Sequence, residues 1–192
     1  MLGRIFNFCF FYVRKIRFSY SWGNLVKRGL IIGHNFSYEK GLIIDKIYPS
    51  FITIGNNVTF SANCSVLAHD AGLANIMGLV RVGKVRIGNN VFIGLGSTIL
   101  PGVEIGDNVI IGAGSIVSKS IPANNVAAGC PCRIVCSLED YRKKIIEMTN
   151  VGGVFAAINP LDKDAVIEMK KKMKKNVIIK KTNNYNKYNS LD

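Results

Sequence analysis

Two histidines stand in this chain of 192 residues, so the search for acid–base chemistry is short. His69 is followed at once by Asp70. An imidazole has an ordinary pKa near ~6.5, so its neutral form can take a proton at physiological pH. A carboxylate beside it could orient the ring or hold the imidazolium that forms. Asp70 is the nearest candidate in sequence, although adjacent side chains in a strand point apart. His34 sits between Gly33 and Asn35 and reads as a turn residue. Cys130, Cys132 and Cys136 form a C-x-C-x-x-x-C cluster without a fourth ligand or a nearby histidine, so no zinc site and no other metal is expected.

The elements that must position His69 follow from a repeat. Ile87, Ile93, Ile99, Ile105, Ile111 and Val117 recur every six residues, and Val91, Ser97, Val103, Val109, Ser115 and Ile121 keep the same period four positions later. A helix repeating near 3.6 residues cannot hold that stripe on one face; short strands joined by tight corners can. Gly-Asn-Asn and Gly-Asp-Asn supply the corners, because Gly and Asn tolerate positive φ. Units this short must stack to bury their aliphatic side chains, which describes a parallel β-helix. Ile54, Phe60 and Val66 keep the spacing, and Ile32-Gly33 with Phe36 reads as an outlying unit. Val66 to Ile87 is three residues more than a multiple of six, so register fails within 68–86. His69 stands at that failure, where its ring can face a cleft.

Residues 87–94 (Ile-Gly-Asn-Asn-Val-Phe-Ile-Gly), 101–117 and 126–133 (Val-Ala-Ala-Gly-Cys-Pro-Cys-Arg) resemble the hexapeptide-repeat acetyltransferases, most of all the galactoside and maltose acetyltransferase branch and related polysaccharide O-acetyltransferases. The resemblance covers roughly residues 50–136. It implies an all-β fold, a left-handed parallel β-helix with a short C-terminal helical extension, and a homotrimer. It also implies acetyl-CoA as co-substrate, with His69 as catalytic base and Gly94, Ala113, Ser118, Lys119 and Arg133 at positions that contact the coenzyme. Arg suits phosphate through its planar fork. Phe92 stands where the family often carries Trp, and Cys130 where it often carries Asn or Val. A carbonic anhydrase on the same scaffold needs three histidine ligands for zinc, and two cannot supply them.

The expected organisation is a basic, aromatic segment with the first outlying repeat over 1–49, the β-helix over 50–136 with its loop at 68–86, helices over 137–175 and a disordered tail over 176–192. In the first helix, Ser137 can cap and Leu138, Tyr141, Ile145 and Met148 form one stripe. The net charge of +13 is concentrated at the ends: residues 1–28 hold six basic and no acidic groups, while 29–136 net only +2. That distribution, with no nucleic-acid-binding motif, argues against nucleic acid. Five cysteines, an odd number, and no secretory leader point to a reducing, cytoplasmic setting. The apolar run Ile5–Val13 is too short to cross a bilayer. Together with the six basic residues, the aromatic residues of this segment suit either a cap on the open end of the prism or contact with an anionic inner-membrane surface.

The expected function is O-acetylation of a sugar hydroxyl in surface-polysaccharide synthesis, the saccharide acceptor being a glycan or lipid-linked saccharide. N-acetylation of an amino-sugar nucleotide and a non-catalytic scaffold are the alternatives.

Overall fold

The computed structural model of the chain describes residues 21–152, 154–156, 167 and 178–180. The expected second helix around 160–175, apart from Ile167, and the aromatic segment before Ser21 lie outside them. Two units separate at Ser137/Leu138.

In the first unit, helix α1 (Trp22–Lys27) leads into thirteen short parallel strands and an edge strand, wound into three faces. The first face stacks β1 (Ile31–Ile32), β4 (Ile52–Ile54), β9 (Val85–Ile87) and β12 (Glu104–Ile105). The second stacks β2 (Ser37–Tyr38), β5 (Thr59–Phe60), β10 (Phe92–Ile93), β13 (Ile110–Ile111) and β15 (Asn125–Ala128), closed by the antiparallel β16 (Arg133–Ser137). The third stacks β3 (Ile43–Ile44), β6 (Ser65–Val66), β11 (Thr98–Ile99) and β14 (Ile116–Val117). Register sets like over like: Ile32, Ile54, Ile87 and Ile105 on one face, Phe60, Ile93, Ile111 and Ala127 on the next, Ile44, Val66, Ile99 and Val117 on the third. Nearly all of these side chains are fully buried. Each contributes roughly 1.5–3 kcal/mol on leaving water, which is how a prism without a second layer holds together.

The corner between the first and second faces is an asparagine ladder. Asn35, Asn57, Asn90, Asn108 and Asn124 all adopt φ of 53–61°, and each Nδ2 donates to the next Oδ1 at 2.9–3.0 Å. Asn tolerates this backbone better than other side-chain-bearing residues.

The outlying unit at Ile32-Gly33 with Phe36 lies in the first strands of the stack. Strands β1–β3 complete a full coil that pairs with the next one throughout. Extra residues after Ile44 hide it from a six-residue register. The insertion expected at 68–86 is itself folded: β7 (His69–Asp70) pairs antiparallel with β8 (Arg81–Val82), and a short helix α2 (Ala74–Met77) closes the arm. Leu73, Ile76, Met77 and Leu79 are exposed at its tip.

The second unit opens with α3 (Leu138–Gly152). Leu138, Tyr141, Ile145 and Met148 form its half-buried stripe, and the first turn carries Glu139 and Asp140, favourable at a helix N-terminus. Within the expected tail, only residues 178–180 are described, and they form strand β18, parallel to β17 (Val154–Ala156).

Candidate active site

All departures from six-residue spacing in the prism fall on one corner, between the third and first faces. Ile99 to Ile105 spans six residues there, but Ile44 to Ile54 spans ten, Val66 to Ile87 twenty-one and Val117 to Ile121 four. The first two insertions lie on neighbouring coils, so their residues meet. Asp45 follows β3 and His69 opens the arm after β6.

Asp45 is buried yet saturated with donors. Its Oδ1 accepts from the N–H groups of Ile47 at 2.8 Å and Tyr48 at 3.1 Å. Its Oδ2 accepts from the N–H groups of Ala68 at 2.9 Å and His69 at 3.0 Å, and lies 2.5 Å from His69 Nδ1. Burial pushes the carboxyl up, but the His69 hydrogen bond and the N–H groups of Ile47, Ala68 and Tyr48 outweigh it and hold Asp45 below its ordinary value. Asp45 is therefore ionised and can only accept. That assigns the Nδ1 proton to the His69 side of the pair and leaves Nε2 of the neutral ring with its lone pair free. The side chain of His69 is 24% exposed, against 0% for Asp45. Tyr48 packs beside the imidazole, ring centroids 5.5 Å apart. Chemically, an imidazole held in one tautomer by a buried carboxylate can serve as a general base.

Sequence adjacency pointed to Asp70 as the partner of His69, and the structure replaces it with Asp45. Asp70 Oδ1 accepts from the N–H of Gly72, two residues on, and its side chain is turned into the arm. His34 lies on the ladder corner, its own N–H donating to Asn56 Oδ1. Among the described residues no group of His, Cys, Asp and Glu is arranged to hold a metal ion. Burial pushes the Cys64 and Cys132 thiols up, which suits packing and not reactivity.

The other five candidate positions flank the third face. Gly94 and Ala113 follow β10 and β13 at its near edge, where Arg133 pairs with Ala128, while Ser118 and Lys119 follow β14 at the His69 edge. Residue 118 lies two coils on from Leu67, roughly 10 Å along the axis. Gly94 is small for a structural reason: an added Cβ would lie 2.5 Å from the Ala113 nitrogen of the next coil. Gly96 and Gly114 differ, since an added Cβ there meets nothing within 4 Å. Their surroundings are open. Ala113 and Arg133 are exposed at one edge of the third face, Ser118 and Lys119 at the other, so a cation is accessible at each.

A three-sided coil with six-residue sides and a carboxylate-held imidazole at its irregular corner defines the class, a left-handed parallel β-helix of hexapeptide repeats. Residues 84–119 match the family model described as bacterial transferase hexapeptide (six repeats), so this stretch carries hexapeptide-repeat transferase sequence. It is similar to protein CapG of Staphylococcus aureus, 46% identical over 103 residues that cover 52% of this chain and 60% of that protein. It is also similar to the galactoside O-acetyltransferase of Escherichia coli (strain K12), 43% identical over 115 residues, 58% of this chain and 56% of that one. The crystal structure of a maltose O-acetyltransferase from Clostridium difficile 630 is 43% identical with a TM-score of 0.50, covering 55% of this chain and 57% of that one. The chain spans about three-fifths of the length of the first curated relatives it matches.

Proposed function

We propose that this protein is an acetyl-CoA-dependent O-acetyltransferase acting on a sugar hydroxyl in surface-polysaccharide synthesis, with His69 as general base. The observation that carries the reading is the Asp45–His69 pair, which fixes the proton on Nδ1 and presents a basic Nε2 at the one corner where the prism opens. Acetyl-CoA supplies the acetyl group as a thioester. Ala113 and Arg133 at one edge of the third face and Ser118 and Lys119 at the other would hold it, with the two cations answering phosphate.

Nε2 takes the proton of the acceptor hydroxyl as the oxygen bonds to the acetyl carbon. Asp45 remains ionised and stabilises the imidazolium. The ring then returns the proton to the sulfur as the carbon–sulfur bond breaks, leaving an O-acetyl ester and a free thiol. General-base assistance of this kind is worth roughly two to four powers of ten. A saccharide acceptor accords with the O-acetyltransferases to which the chain is similar. The active assembly is a homotrimer closed by cyclic symmetry.

The test is thiol release from acetyl-CoA across sugars, nucleotide sugars and oligosaccharide repeats. His69→Ala is expected to lower turnover at least about a hundredfold while the coenzyme still binds. Near-wild-type turnover by a folded variant would overturn the mechanism, and preference for an amino-sugar nucleotide would move the reading to N-acetylation.

A further inference from the structure

Arg28, immediately after α1, reaches the loop that carries Asp45. Its Nη1 donates to the Lys46 carbonyl at 2.5 Å and its Nη2 to the Ile47 carbonyl at 3.0 Å. These carbonyls belong to the same two peptide groups whose N–H ends, on Ile47 and Tyr48, donate to Asp45 Oδ1 at 2.8 and 3.1 Å. A trans peptide is planar with its C=O and N–H pointing opposite ways. Each of the two groups is therefore held between a cation at its oxygen and an anion at its hydrogen. Hydrogen bonds in such a chain polarise one another, and both ends are charge-assisted. The rigid guanidinium fork fixes the spacing of the two carbonyls, which a single ammonium cannot do. With Oδ1 anchored this way, Oδ2 is left to face Ala68, His69 and the His69 ring.

We propose that Arg28 is a positioning residue for the His69 base, acting through the 46–47 and 47–48 peptide groups and Asp45. This rests on the reading of His69 given above. It extends the catalytic machinery to the segment before the first coil, with no contact between Arg28 and the acceptor required. The loop has no need of particular side chains at 46 and 47 for this purpose, since backbone does the coupling.

Two measurements test it. The first needs no turnover: with two histidines in the chain, the low-field proton resonance of the His69 Nδ1–H shared with Asp45 can be observed directly. It is expected to vanish in Asp45→Asn and to shift upfield with faster solvent exchange in Arg28→Gln, while Lys27→Gln leaves it unchanged. An unaltered resonance in folded Arg28→Gln would overturn the proposal. The second is kinetic. Arg28→Gln should lower kcat about tenfold, the worth of a charge-assisted hydrogen bond, with KM for acetyl-CoA unchanged. Arg28→Lys should recover part of the loss. In an Asp45→Asn background the same change should cost less than about twofold, because coupled residues are non-additive. Full independent losses, or an effect on KM alone, would overturn it. If Arg28→Gln fails to fold, the cycle and the resonance are read with Arg28→Lys, expected to show the smaller shift. Wild-type turnover in His69→Ala would sink the functional reading; loss there with none in Arg28→Gln would sink this inference alone.

Discussion

The two coils over residues 85–117 and the corner formed by residues 45–51 and 68–84 are built on opposite rules. In the former, every corner closes in six residues and every inward aliphatic stacks on its like. Polar side chains are buried only where they bond the coil itself, as Ser97 and Ser115 do at the Gly112 carbonyl. In the latter, chain is added, the backbone leaves the stack, and a buried carboxylate is satisfied by four N–H groups and an imidazole. A repeat that satisfies all its backbone groups in the ladder has none to spare for a carboxylate. The broken corner does. Stability therefore belongs to the regular coils and chemistry to the interruption, and each variant below should affect one and spare the other.

The largest expected effect is on the regular side. Ile99 is fully buried between Val66 and Val117 on the third face. Ile99→Ala removes three carbons that the neighbouring coils cannot collapse to replace, so unfolding free energy should fall by about 2–5 kcal/mol, read from urea denaturation. Activity per folded molecule should stay within about twofold of wild type, since the change lies far below the tenfold that ~1.4 kcal/mol of barrier represents. A stable Ile99→Ala protein would break the contrast.

On the other side, Asp45→Asn should lower kcat by about ten- to a hundredfold, because a charge-assisted hydrogen bond is worth roughly 1.5–3 kcal/mol. It also has a pH signature. Asp45 is held below its ordinary value of 3.8 in the folded protein, so the folded state releases its proton more readily than the unfolded chain. The stability it contributes is then fully present above 3.8 and is lost as pH falls through the lower native value. The gap in unfolding free energy between wild type and Asp45→Asn should be constant at neutral pH and narrow only in the acid range below 3.8. A gap that narrows instead on approach to pH 7 would show that some other group dominates.

How much of this could be read beforehand follows the same division. From Ile87 to Val117 the period speaks for itself, because stacking makes each side chain answer to its equivalent six residues on. His69 was visible because register failed beside it. Asp45 was not: it lies 24 residues upstream, and only winding the chain around a prism brings the two corners together. A signal existed, since Ile44 and Ile54 stand ten residues apart instead of six, a second failure in the same phase. The first coil was obscured by that shift and by Tyr38, whose inward-phase position is exposed and hydrogen-bonded by Trp22. Asp70 was offered by adjacency alone, with strand alternation already counting against it, and its Oδ1 accepts from the Gly72 N–H. Arg28 had no signature, because carbonyls belong to every residue.

The smallest expected effect sharpens the contrast at the regular corner. Asn108 is a rung of the ladder, accepting from Asn90 at 2.9 Å and donating to Asn124 at 3.0 Å, with φ of 57°. Asn108→Ala removes both side-chain bonds and leaves a Cβ in left-handed backbone, so it should cost about 1–2 kcal/mol. Asn108→Gly removes the same bonds without the backbone penalty, and should cost less, about 1 kcal/mol or below. The difference between the two variants, measured by urea denaturation, isolates the conformational contribution from the rungs. Equal losses would mean that the ladder is held by its side chains and that Asn was not chosen for φ. Neither variant should change kcat, since Asn108 lies on the first-to-second-face corner while Asp45 and His69 lie on the third-to-first. A kcat loss in Asn108→Gly would show that the regular corners couple to the broken one, and the separation of stability from chemistry would fail there first.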